Sequence, residues 1–121
     1  MNLRTVFKVQ SIVLFLNAIG GLFLTSAFLG AAGWEITADL ITLGQFTGMT
    51  FLVFAIYAWR LPDVASDSIK SIGVLFAIGG LLFTIIIGYH IMIGAVAGAT
   101  AYVNIILTAL FAIAFYFYSR D

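Results

Sequence analysis

Apolar residues fill this chain in long unbroken blocks, and its charged positions fall almost entirely in the short gaps between them. From Lys70 to Arg120 the chain runs 49 residues without a formally charged side chain. One helix of that length would rise roughly 74 Å, more than twice the ~30 Å hydrocarbon thickness, so the block predicts two membrane spans joined by a tight turn. Val9 to Trp34 and Leu40 to Trp59 are uncharged windows of 26 and 20 residues and predict two more. The expected spans are about residues 6–30, 39–59, 71–94 and 102–118. Leu61-Pro62-Asp63 is expected to stop the second helix, because proline has no N–H to donate to the preceding turn and disfavours helical geometry just before it. Ser66, Asp67 or Ser68 can cap the third helix, and Thr37 or Asp39 the second. Loops this short lay each helix antiparallel to its sequence neighbour. The fold class predicted is all-α, a four-transmembrane-helix antiparallel bundle in a single membrane domain, residues 1–121.

Composition supports this. At 64% hydrophobic and 8% charged, the chain has too few polar residues to cover an apolar surface in water, so the bilayer is its solvent. Whole windows lack charge, not single faces, which argues against helices lying flat in the interface. Arg4 and Lys8 precede an apolar run too long for a signal peptide, and Leu29-Gly30-Ala31-Ala32 is a poor cleavage context, so the first span reads as a retained helix. Arg4, Lys8, Arg60, Lys70 and Arg120 all fall on one side of the predicted spans, whereas the other side receives Glu35 and Asp39. The positive-inside rule then puts both termini in the cytoplasm. Trp34 and Trp59, with Tyr116 and Tyr118, sit near span ends, where amphipathic rings prefer the headgroup level. With no cysteine, the chain has no disulfide, thiolate metal site or cysteine nucleophile.

The two halves, 1–60 and 61–121, resemble each other. Ala18-Ile19-Gly20-Gly21-Leu22-Phe23-Leu24-Thr25 recurs as Ala77-Ile78-Gly79-Gly80-Leu81-Leu82-Phe83-Thr84, six identities in eight positions at a shift of 59 that also takes Gln45 to Asn104. Two-span copies of this kind would share orientation, as in parallel-repeat transporters. Small residues recur three or four apart: Gly73, Ala77, Gly80, Thr84 and Gly88 on span three, Gly44 and Gly48 on span two, Asn17, Gly21 and Thr25 on span one, and Asn104, Thr108 and Ala112 on span four. Lipid gives helices no hydrophobic drive to associate, so Gly21, Gly44, Gly48, Gly73, Gly80 and Gly88 are the expected packing positions.

Polar residues inside spans are the candidate chemistry. Asn17, Gln45, His90, Asn104 and Thr108 are candidate substrate contacts, and an unpaired amide in hydrocarbon is costly enough that they are expected to face one another. Gln45, His90 and Asn104 are expected to cluster in the outer half beneath Glu35 and Asp39, and are the candidate cofactor-binding set. A quinone could lie among them with Phe83, Tyr89 and Tyr102 as walls. A haem would need a second axial ligand beside His90, for which Met92 points elsewhere and Met49 requires a favourable turn of span two. The plain alternative is that His90 is an ordinary polar residue near the interface. No span carries repeated carboxylates or arginines, and there is no filter loop, metal-binding His/Glu pair, phosphate loop or basic patch for nucleic acid. Ser11, Ser66, Ser68 and Ser71 lie on the inner side, away from His90, and Ser26, in its half of the membrane, has no third group to orient the pair. No catalytic residue and no metal site are predicted.

The segment from Asn2-Leu3-Arg4 to Lys8-Val9-Gln10, the run Gly20-Gly21-Leu22-Phe23 and the terminal aromatic stretch together resemble small bacterial four-helix integral membrane proteins of uncharacterised function. That likeness implies a bacterial inner-membrane location and carries over no functional residue. The function expected is that of a non-enzymatic accessory or assembly subunit, or a self-associating bundle, in a homo-oligomer or larger membrane complex, with no cofactor. The alternatives are an oligomeric small-solute transporter or binding protein, and a quinone- or haem-binding membrane subunit.

Overall fold

A computed structural model describes residues 1–120; Asp121, the last residue of the second half, lies outside the described residues. The described residues form helices joined by short loops, with no strand among them, in the order α1 (Leu3–Phe23), α2 (Thr25–Gly30), α3 (Ala38–Val64), α4 (Ile69–Met92) and α5 (Ala99–Ser119). Four of these, α1, α3, α4 and α5, are long and apolar enough to cross a membrane, so the chain is an integral membrane protein.

The helix ends show where local chemistry overrode the sequence pattern. α1 begins three residues before the expected Val6, because the Asn2 side chain caps it by accepting from the Thr5 N–H at 3.0 Å. Thr37 caps α3 in the same way, accepting from the Leu40 N–H at 3.1 Å. Ser68 stands at the α4 cap position without a side-chain bond. α3 does not stop at Leu61-Pro62-Asp63 but continues to Val64. Pro62 removes one hydrogen bond, yet the turn closes with Ala65 donating to the Leu61 carbonyl, and α1 holds it from outside. Arg4 and Lys8 both pair with Asp63, and Lys8 also donates to the Trp59 carbonyl and lies 4.1 Å from the Trp59 ring centroid.

The first expected span is two helices, not one. Leu24, at φ −124° and ψ 36°, interrupts it. Leu24 still donates to Gly20 and Phe28 to Leu24, while the Thr25 hydroxyl donates to the Gly21 carbonyl at 2.6 Å. The Phe28 ring lies so close over Gly20 that a side chain there would collide with it.

Helices pair most extensively as α1 with α3 and α4 with α5, and the pairs meet along α1 and α5. Gly21 faces Gly48, Ser11 donates to the Ala55 carbonyl at 2.6 Å, and Lys8 reaches Trp59, so α1 and α3 run past each other in opposite directions. α3 and α4, consecutive in the chain, are not in extended contact, which departs from the expectation that every helix lies along its sequence neighbour. At the basic end, Leu3, Val6 and Phe7 pack with Ala77 and Phe115, and the rings of Phe7, Phe76 and Phe115 meet at 4.8–5.2 Å between centroids. At the acidic end three hydrogen bonds tie the two halves together: between loops, Ala97 N–H to the Ala32 carbonyl and Trp34 Nε1 to the Ala95 carbonyl, and between α5 and α2, the Thr100 hydroxyl to the Phe28 carbonyl. The turn there relies on Gly98, whose φ of +86° favours glycine and whose missing side chain leaves room for the Ala31 carbonyl.

Candidate functional site

All six predicted packing glycines lie in contacts within the chain. A Cβ on Gly48 would come within 2.9 Å of the Gly21 carbonyl carbon and 3.0 Å of the Leu22 nitrogen, so α1 and α3 touch backbone to backbone. Gly44 receives the Thr25 methyl and Leu29; Gly73 receives Ser119 and Leu3; Gly80 receives Ala112 and the Thr108 carbonyl; Gly88 receives Ile105. The seam between α4 and α5 also holds a hydroxyl pair, Thr84 to Thr108 at 2.9 Å, so Thr108 belongs to that seam and lines neither of the recesses described below.

Of the candidate polar residues, two line the same groove. Asn17 from α1 and Asn104 from α5 line one groove of about 340 Å³ where the two helix pairs separate between their joined ends. Val13, Leu16, Phe28, Val103 and Leu107 supply much of its apolar wall. Each asparagine donates one Nδ2 hydrogen to the carbonyl one turn back, Asn17 to Val13 at 3.0 Å and Asn104 to Thr100 at 2.7 Å.

Gln45 is elsewhere. It lines a second recess, of about 410 Å³, where α1 breaks at Leu24 and Thr25, Ser26 and Ala27 begin α2. Gln45 is exposed and makes no hydrogen bond among the described residues. Thr42, Thr47 and Thr50, also exposed on α3, each donate to the carbonyl four residues earlier. Gln45 is therefore a side chain of α3 that, unlike these threonines, has its hydrogen-bonding capacity unused.

The expected cluster of Gln45, His90 and Asn104 does not form, because α3 and α4, which carry Gln45 and His90, are not packed against each other. His90 lies in the last turn of α4, half-buried, with its ring edge-on to Tyr89 at 5.2 Å. Phe83, Tyr89 and Tyr102 are all about half exposed and do not enclose it. Met92 is 86% exposed and Met49 lies on the exposed side of α3, so neither stands opposite the His90 ring. Glu35 and Asp39 are exposed, without ion pairs among the described residues. No group of three or more His, Cys, Asp or Glu among the described residues could hold a metal.

Sequence reasoning missed three contributors. Ser11 bonds across to α3, Thr100 ties α5 to α2, and Phe28 both covers Gly20 and lines the groove. Ser11 had a legible signal, since it lies seven residues before Ala18, which lies seven before Thr25, and all three are buried. Thr100 and Phe28 had none, since their contacts join helices whose placement the spacing does not give. No family model matches the chain, and no curated protein or solved structure matches it.

Proposed function

We propose that this protein is a non-enzymatic integral membrane subunit that acts by self-association, and that the exposed face of α3 around Gln45 is where a second copy docks. The observation that carries this reading is a carboxamide without a hydrogen bond on the apolar outer face of a membrane-spanning helix. In hydrocarbon an unsatisfied amide is costly, and no water is at hand to answer it. A primary amide both donates and accepts, so two copies related by a two-fold axis can satisfy each other with a reciprocal pair. Thr42 and Met49, three and four residues from Gln45, extend the same face. The packing glycines are committed inside the chain, which leaves the amide, not a small-residue stripe, as the specific element of the contact.

The same reading places the protein in a bacterial inner membrane with both termini cytoplasmic, following the five basic residues gathered at one end. It takes the chain as an antiparallel four-helix bundle of two tandem hairpins. Support for the repeat comes from matching back-bonds at the shift of 59: the Thr25 hydroxyl donates to Gly21 and the Thr84 hydroxyl to Gly80.

Light scattering in mild detergent tests the proposal. The native chain should be a dimer or higher oligomer, and Gln45→Leu should weaken association roughly 5- to 30-fold, the equivalent of about 1–2 kcal/mol for interhelical hydrogen bonds. A native chain that stays monomeric at all concentrations would overturn it.

A further inference from the structure

We infer, resting on the self-association proposed above, that the break in the first span is the other half of that contact: carbonyls freed at the end of α1 accept from the Gln45 carboxamide of the second copy. α1 ends at Phe23 and α2 begins at Thr25, with Leu24 out of helical geometry between them. Leu24 donates to Gly20 and Phe28 to Leu24, and the Thr25 hydroxyl donates to the Gly21 carbonyl. A continuous helix would send the Ser26 and Ala27 N–H groups to the Leu22 and Phe23 carbonyls, and among the described residues neither bond forms across this break. Two carbonyls inside a membrane span are thus without their donors, and each is costly to leave so in hydrocarbon. Leu22 and Phe23 line the same recess of about 410 Å³ as Gln45.

A donor must reach these carbonyls at their own depth. Phe23 stands seven residues before Gly30 and Gln45 seven after Ala38, so at 1.5 Å per residue both lie about 10 Å below the acidic end. α3 rises about 40 Å against a hydrocarbon thickness of about 30 Å, and with the excess shared between its ends both positions are about 5 Å inside the hydrocarbon. The ammonium and hydroxyl donors of phospholipid headgroups stay above that level, and ester oxygens only accept. Within the chain, the Thr25 hydroxyl is spent on Gly21, Thr42, Thr47 and Thr50 donate to their own helix, and the Ser26 hydroxyl is bonded to neither carbonyl. Two copies inserted in the same orientation and related by a two-fold axis along the membrane normal carry each residue at the same height, so the second copy's Gln45 arrives level with the break. A reciprocal amide pair spends one N–H of each glutamine and leaves each a second. That remaining hydrogen is the donor that the Leu22 or Phe23 carbonyl of the facing copy lacks.

Association of mixed copies tests this. Copies carrying a donor or an acceptor dye on Leu110→Cys, an exposed position of α5, are diluted in mild detergent, and energy transfer reads their dissociation. Three pairings are compared: Gln45 with Gln45, Gln45 with Gln45→Leu, and Gln45→Leu with Gln45→Leu. Only the first can form the reciprocal amide pair, but the second still sets one glutamine against a facing break. The mixed pairing should be about threefold tighter than the pairing of two leucines, the ratio for a membrane hydrogen bond of about 0.6 kcal/mol. Ser26→Cys, exposed at the recess, should react with N-ethylmaleimide several-fold more slowly where the chain is dimeric than where it is monomeric. Ile86→Cys, exposed on α4 at similar depth, should react alike in both. A mixed pairing as weak as that of two leucines, or a Ser26→Cys thiol left unprotected in the dimer, would overturn the role given to the break and leave the α3 contact standing. A native pairing no tighter than that of two leucines would instead overturn self-association through Gln45, and this inference with it.

Discussion

At the residue scale, the contrast between two glycines shows what spacing reveals and what it hides. Gly48 stands in a small-residue run and lies against the backbone of α1, whereas Gly79, one place off the run that passes through Gly80, would with a Cβ meet nothing within 4 Å. Gly48→Val should force α1 and α3 apart and cost about 1–3 kcal/mol, the usual range for overpacking against atoms that cannot yield. Gly79→Ala should be neutral or stabilising by about 0.5–1 kcal/mol, because it removes glycine's backbone entropy and collides with nothing. Denaturant unfolding in detergent followed by circular dichroism reads both. The glycine positions were legible because backbone contact between helices demands small residues every third or fourth place. The polar residues were not, because spacing says which residues share a helix face and not which helix that face meets. Asn17 and Asn104 line one groove, and Gln45 lines a different recess.

At the element scale, the four long apolar helices were legible from uncharged runs alone, since few structures other than a membrane span suit such a run. The break at Leu24 was not. It depends on Phe28 packing over Gly20 and on the Thr25 methyl and Leu29 filling the space at Gly44, contacts made only after the chain has folded back. The Thr25 hydroxyl serves the carbonyl of Gly21 at that break. Thr25→Val keeps nearly the same volume and should lose about 1–2 kcal/mol, as expected when a carbonyl away from water loses its donor. Thr84→Val removes a hydroxyl from the unbroken α4 and should lose only about 0.6 kcal/mol, the average for an interhelical bond in a membrane. Equal losses at the two positions would show that the break places no special demand on Thr25. The run through Pro62 was likewise invisible locally, because Arg4 and Lys8, which pair with Asp63, come from a different helix.

At the scale of the whole molecule, two helix pairs are joined by an aromatic cluster at the basic end and by loop hydrogen bonds at the acidic end, with the groove between. This arrangement leaves one face of α3 with an unanswered amide, which the proposed second copy would answer. The chain has no cysteine, so single cysteines report proximity without background. Met49→Cys lies on the Gln45 face of α3, and Leu110→Cys lies equally far into α5 on an exposed position away from it. Mild oxidation of membranes carrying each variant is the most direct measurement: Met49→Cys should give a disulfide-linked dimer that Gln45→Leu in the same chain strongly reduces, and Leu110→Cys should stay monomeric. Cross-linking that is absent at Met49→Cys, or no stronger there than at Leu110→Cys, would contradict self-association through this face.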